Sequence, residues 1–149
     1  MGKLKDEDLE FLKENEEELR EYIGKKADYY IDSWRTGKGF NVGGFLTGVF
    51  WLGYRGMYGM VLLIIGLFFV LDIVCYSFMI EMMRGPGIIL GIVLGMQGNT
   101  LFFYKAKKDI LAGRVNKGGI IGAVIAGVLF GAYAWISVKM YDYFFYYYY

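Results

Sequence analysis

Few residues in this 149-residue chain could do chemistry inside an apolar setting, and they fall into two groups. The first is Asp72, the one ionisable residue well inside an apolar run, with Gln97, Asn99 and Tyr133 as polar positions in neighbouring runs. An intramembrane carboxyl is a functional-site hypothesis by default. At 1.5 Å per helical residue Asp72 lies about 22 Å from the start of its run, and Tyr133 lies at nearly the same depth in its own. Gln97 is about a turn away. Two readings stand for Asp72, Tyr133 and Gln97: a proton or cation site, or interhelical hydrogen bonding worth about 1 kcal/mol. The second group is Asn41, Trp51, Tyr54, Arg55 and Tyr58. There Arg55 can pair with a phosphate among aromatic rings, forming a headgroup pocket. Equally, the five can be an interface anchor, with Trp and Tyr at headgroup depth and Arg reaching to water.

Other chemistries lack their residues. With no histidine there is no His-based triad, no His-ligated metal and no imidazole shuttle. Cys75 stands alone, so neither an internal disulfide nor a cysteine-built metal site is expected. No phosphate-binding glycine loop occurs in a strand-to-helix setting, and a net charge of +1 does not point to nucleic acid. No cofactor and no metal is expected, and the chain is expected not to be an enzyme. A lipid-headgroup enzyme built on Arg55 lacks a general base.

The elements that must hold these residues follow from composition. The chain is 56% hydrophobic and 19% aromatic, with 22 glycines and one proline, and a mean hydropathy of +0.37. A soluble domain is about 45–50% apolar. The excess lies in long runs after residue 40, so the expected fold is an all-α integral membrane protein.

Residues 1–39 are different. They carry eight Lys/Arg against eleven Asp/Glu, a net of −3. No apolar run with a basic start opens the chain, so no secretory signal is expected. Leu9, Leu12, Leu19, Ile23, Tyr30 and Trp34 lie near one helical stripe, which predicts a single amphipathic helix from Asp6 to Trp34 with Asp6 as N-cap. Glu21 and Lys25 are spaced for an i,i+4 pair. So short a segment cannot bury a core alone. Its stripe must meet the membrane domain, a second copy or another protein.

Thr36-Gly37-Lys38-Gly39 breaks this helix. Residues 40–56 form an aromatic segment whose 15 residues Phe40–Tyr54 cover about 22 Å, short of a core of about 30 Å, so a re-entrant or interfacial helix is expected. Residues 57–138 supply three spans: Met57–Ile80, Gly87–Tyr104 and Gly118–Val138. The turn Glu81–Pro86 and the polar loop Lys105–Lys117 separate them. Residues 139–149 are a tail expected to lie along the interface as an aromatic belt or to dock on another subunit.

Gly87, Gly91 and Gly95 repeat every four residues on one span, and Ala123, Gly127 and Gly131 on another. Such stripes permit close backbone approach and predict packing of the second span on the third, or a homo-oligomer. The basic residues around the N-terminal part and the 105–117 loop place both in the cytoplasm and the C-terminus outside.

The block Phe40-Asn41-Val42-Gly43-Gly44-Phe45, continuing through Gly48, Trp51, Tyr54, Arg55 and Met57 to Tyr58, resembles the signature of small bacterial membrane proteins known as domain of unknown function 2628. Gly98-Asn99 through Tyr104, before a basic loop, is similar to a second block of that family. Val42 stands where relatives commonly carry Trp, Gly43-Gly44 where they carry Ala pairs, and Val49 where Pro is usual. Lys105 begins the loop in which relatives tend to have a histidine, so any chemistry resting on it has no counterpart here. The resemblance implies a bacterial inner-membrane protein and no activity. The expected role is a non-enzymatic structural or assembly subunit of an inner-membrane complex. It would pack through its glycine stripes and recruit a partner by the N-terminal helix, with membrane lipids around it and another subunit or its own copies as partners. The alternative is a small transport or channel component using Asp72, Gln97 and Asn99.

Overall fold

The computed structural model describes residues 4–78 and 85–148. Among them are eight helices and no strands: α1 (Asp6–Glu14), α2 (Glu16–Ile23), α3 (Ala27–Thr36), α4 (Val42–Thr47), α5 (Val49–Tyr54), α6 (Tyr58–Ser77), α7 (Gly85–Leu111) and α8 (Ile120–Tyr148). Three stretches are long and apolar enough to cross a membrane: Tyr58–Ser77, Pro86–Leu111 and Ile120–Phe144. The chain divides into two compact units, Met1–Gly48 with Leu90–Lys117, and Val49–Ile89 with Gly118–Tyr149. The division falls between α4 and α5, inside α7, and between α7 and α8.

In the first unit the acidic N-terminal segment finds its own cover. The expected single helix from Asp6 to Trp34 is three short ones. Asn15 leaves helical geometry at φ −115°, ψ 25°, its N–H bonded to the Phe11 carbonyl. Gly24 ends α2 at φ 73°, ψ −138°, a conformation open to glycine. That break removes the i,i+4 geometry expected of Glu21 and Lys25. Glu16 instead pairs with Arg20 at 3.0 Å and with Arg35 at 2.7 Å. Asp6 is the first helical residue rather than the cap, which is Lys5.

Folding back in this way buries Leu12, Leu19, Ile23, Tyr30 and Trp34, with Leu9 half-buried, in the unit whose α7 face buries Leu94, Phe102, Phe103 and Ala106. Trp34 sits 5.9 Å from Phe102 and 5.2 Å from Phe103, and Tyr30 meets Phe102 edge-on at 5.0 Å. The stripe expected to seek an outside partner is thus packed within the chain. Such aromatic contacts add about 0.5–1.5 kcal/mol each beyond area burial.

The 40–54 segment is not one helix either. Gly48, at φ 49° and ψ −115°, separates α4 from α5. Asn41 caps α4 by accepting from the Gly44 N–H at 2.7 Å.

The second unit is built on close backbone contact. A Cβ placed on Gly53 of α5 would collide with the Gly122 carbonyl of α8, and one on Gly122 with the Gly53 carbonyl. The Gly119 N–H donates to the Tyr54 carbonyl at 2.7 Å. Farther along, α6 meets α8 through Phe68, Phe130 and Tyr133, with ring centroids 5.5–6.4 Å apart.

Within each unit, glycines of the stripes face aromatic rings. Gly91 and Gly95 are faced by Phe45 and Phe40, and Gly127 by Phe50, whereas a Cβ on Gly87 or Gly131 would meet nothing within 4 Å among the described residues. The aromatic segment around α4 and α5 occupies the room the glycines leave. Ala123 is half-buried.

Helix ends also differ from expectation. The first span runs Tyr58–Ser77. Ile80 and the turn residues Glu81, Met82, Met83 and Arg84 lie outside the described residues. Pro86 belongs to the first turn of α7, where its missing N–H costs nothing. The second span continues to Leu111, because Lys105 and Asp109 form an i,i+4 pair where a loop was expected. The third continues through the tail to Tyr148, since neither glycine nor proline follows Gly131.

Replacing Gly122 by Ala lowers stability by roughly 1–3 kcal/mol through overpacking, although Ala is the better helix former by about 1 kcal/mol. Gly131→Ala meets open space and leaves stability unchanged or slightly higher. Unfolding of both variants in mixed micelles, followed by tryptophan fluorescence, measures the contrast.

Candidate functional site

The polar residues of the first unit converge on Asn99, which is 1% exposed in the middle of α7. Its Nδ2 donates to Ser33 Oγ at 2.8 Å and to Tyr29 Oη at 3.1 Å, with the Gly39 carbonyl at 3.4 Å. Its Oδ1 accepts from Asn41 Nδ2 at 2.9 Å. Its backbone carbonyl accepts from Trp34 Nε1 at 2.7 Å. The Tyr29 hydroxyl passes the chain on to the Phe40 carbonyl at 2.9 Å. The Asn41 N–H reaches the Gly95 carbonyl, one turn earlier on α7, at 2.8 Å. One carboxamide thus ties α3, the 39–41 strap and the cap of α4 to α7, with donor and acceptor both used.

Two charged rungs lie farther along α7. Asp8, buried on α1, accepts from Lys107 Nζ at 2.7 Å and from Tyr104 Oη at 3.2 Å. The Lys107 ammonium also lies 5.0 Å from the centre of the Phe11 ring. Asp109, likewise buried, accepts from Lys105 and from Tyr22 Oη, the latter at 2.6 Å. Burial, then the neighbouring Asp109 carboxylate, pushes the Tyr22 hydroxyl well above the ordinary phenol range. Beside Tyr22 an open cavity of about 390 Å³ is lined by Glu18, Glu21, Ile110, Arg114 and Asn116, among others.

In the second unit Asp72 is completely buried. Tyr133 donates to its Oδ2 at 2.7 Å, and its Oδ1 has no hydrogen-bond partner among the described residues. One turn on, Tyr76 Oη donates to the Ser137 carbonyl at 2.9 Å and lies 3.0 Å from Ser137 Oγ.

Of the expected residues, Asp72 and Tyr133 meet in the second unit. In the first, Gln97 is exposed on α7 and Asn99 is engaged by α3 and the strap. Of the headgroup set, Asn41 belongs to the Asn99 node. Trp51 and Arg55 are buried in the second unit, Tyr58 is half-buried, and Tyr54 is 45% exposed with the Arg55 guanidinium 5.4 Å from its ring centre. Arg55 therefore does not reach freely into solvent from the surface. Sequence reasoning missed Tyr29, Ser33, Asp8 and Asp109. The Lys105–Asp109 spacing was a usable signal for the last. Asp8 stands in an acidic run that gives no hint which member turns inward. Among the described residues no group of three or more Cys, Asp or Glu gathers as a metal site.

The Asn41–Asn99 bond also joins the two sequence blocks noted above. Residues 7–108 match the family described as Protein of unknown function (DUF2628). The chain belongs to this family. The matched stretch holds both partners of the DUF2628 blocks, both charged rungs except Asp109, and Asp72, while Tyr133 and Ser137 lie beyond it. No curated protein and no solved structure matches the chain.

Truncating Asn99 to Ala strands Asn41 and Ser33, at about 1–3 kcal/mol for each buried polar group left without a partner. Gln97→Ala, two residues away on the exposed face, changes stability by less than about 0.5 kcal/mol. Denaturant titration of the two variants in detergent compares them directly.

Proposed function

We propose that this DUF2628 protein is a non-enzymatic assembly subunit of the bacterial inner membrane, and that it meets a partner through the acidic outer face of α1 and α2. The observation that carries this is the division of labour on those helices. Their apolar residues are packed inside the first unit, while Glu7, Glu10, Glu14, Glu17, Glu18 and Glu21 are all exposed. A partner would meet carboxylates rather than leucines. Complementary charge speeds encounter and rejects wrong partners more than it adds affinity, so the fitting partner is a protein with a basic surface.

Topology completes the proposal. Our reading puts the N-terminal helices in the cytoplasm and the C-terminus outside, supported by three candidate spans and by the basic residues around α1–α3 and residues 105–117. We read α4 as a re-entrant or interfacial element at the cytoplasmic surface; the exposure of Phe40, Val42, Phe45 and Leu46 in the first unit supports this. The transport reading loses support because Asn99 is engaged by its own unit.

Pull-down of the intact chain in mild detergent, followed by native mass spectrometry, tests the proposal. A co-purifying protein at fixed stoichiometry is expected, and Glu14→Lys, Glu17→Lys and Glu21→Lys together release it while leaving the fold intact. A homo-oligomer with bound lipid and no second protein overturns the reading.

A further inference from the structure

The second unit contains a carboxyl group that the assembly reading does not use. Asp72 lies 14 residues, about 21 Å, along α6 from Tyr58. It is wholly buried, and no ion pair involves it among the described residues. Tyr133 bonds one of its oxygens and nothing among the described residues bonds the other. A buried carboxylate anion needs a cation or several donors to offset desolvation. One phenol is not enough.

The surroundings supply hydroxyls in sequence. Tyr133 and Ser137 are one turn apart on α8, and Asp72 and Tyr76 one turn apart on α6. Ser137 Oγ is 3.0 Å from Tyr76 Oη. The Tyr141 ring, half-buried, covers Tyr76 with centroids 5.9 Å apart. Cys75 is the other titratable neighbour of Tyr76. α5, the other helix packed on α6, carries no charged residue, and Arg55 follows its end, close to the start of α6.

We propose that Asp72 is an exchangeable proton-binding site inside the membrane, reached from the Tyr141 end of the α6–α8 seam through Tyr76, Ser137 and Tyr133. The step balances as a relay. Tyr133 gives its proton to Oδ2 and takes one from Ser137, which takes one from Tyr76, which takes one from a hydronium ion arriving past Tyr141 and leaves it as water. The carboxylate gains one proton and each hydroxyl ends as it began. The neutral acid then tolerates its unbonded Oδ1. This inference stands apart from the assembly role, since none of its residues lies on α1 or α2.

The test uses the full chain in phosphatidylethanolamine–phosphatidylglycerol vesicles. Infrared spectroscopy should show a protonated-carboxyl C=O band that shifts in D₂O and is lost in Asp72→Asn. Dicyclohexylcarbodiimide, an apolar reagent for protonated carboxyls, should label the Asp72 peptide more slowly as pH rises, a readout on the native chain that holds even if Asp72→Asn fails to fold. Ser137→Ala and Tyr76→Phe should keep the band but slow its D₂O shift. Absence of the band, with labelling confined to Asp8, Asp109 and surface carboxyls, overturns the site. A D₂O shift equally fast in both hydroxyl variants overturns the route.

Discussion

A carboxamide buried on an apolar helix must find every hydrogen-bond partner inside the protein, and the first unit is arranged around meeting that demand at Asn99. Its amide faces Ser33 and Tyr29, its oxygen faces Asn41, and its backbone carbonyl faces the Trp34 indole. The partners come from two turns of α3 and from the strap before α4, so that neither element can shift without stranding one of them. Apolar packing of Trp34, Phe102 and Phe103 provides the bulk of the cohesion, but such packing is tolerant of sliding. The directional bonds at Asn99 fix which turn of α7 faces which turn of α3.

The charged rungs repeat the theme nearer the end of α7. An Asp8–Lys107 pair flanked by Tyr104, and an Asp109–Lys105 pair flanked by Tyr22, are each largely removed from water. Buried ion pairs add little net stability because desolvation offsets attraction, yet breaking one is costly. Their effect here is register: α1 and α2 lie on α7 in the alignment that brings Asp8 to Lys107 and the Tyr22 hydroxyl to Asp109.

Much of this was legible in the sequence, and the remainder was not for identifiable reasons. Hydropathy located the three spans because lipid imposes a length and a composition on them. Helix ends were harder. Gly24 and Asn15 divide a continuous amphipathic pattern, and a stripe of leucines looks alike whether its helix is straight or folded back. The polar run after Tyr104 resembled a loop until Lys105 and Asp109 were seen to close a turn. Small-residue spacing announced close approach at Gly91, Gly95 and Gly127 without naming what approaches. The occupants are Phe45 and Phe40 in the first unit and Phe50 in the second. The Asp72–Tyr133 meeting was foreseeable from depth arithmetic alone, since both lie at similar distances along long straight helices.

That α8 runs unbroken from Ile120 to Tyr148 has a mechanical consequence. At 1.5 Å per residue its 29 residues extend about 43 Å, beyond a hydrocarbon layer of about 30 Å and close to the full thickness of a bilayer with its headgroups. A rigid rod of that length, tipped with tyrosines that favour the headgroup zone, acts as a gauge: thinning of the bilayer is met by tilt rather than by bending. Because the same rod carries Tyr133 and Ser137, its inclination would pass directly to the seam that encloses Asp72, making the thickness of the surrounding lipid a mechanical input to that buried acid.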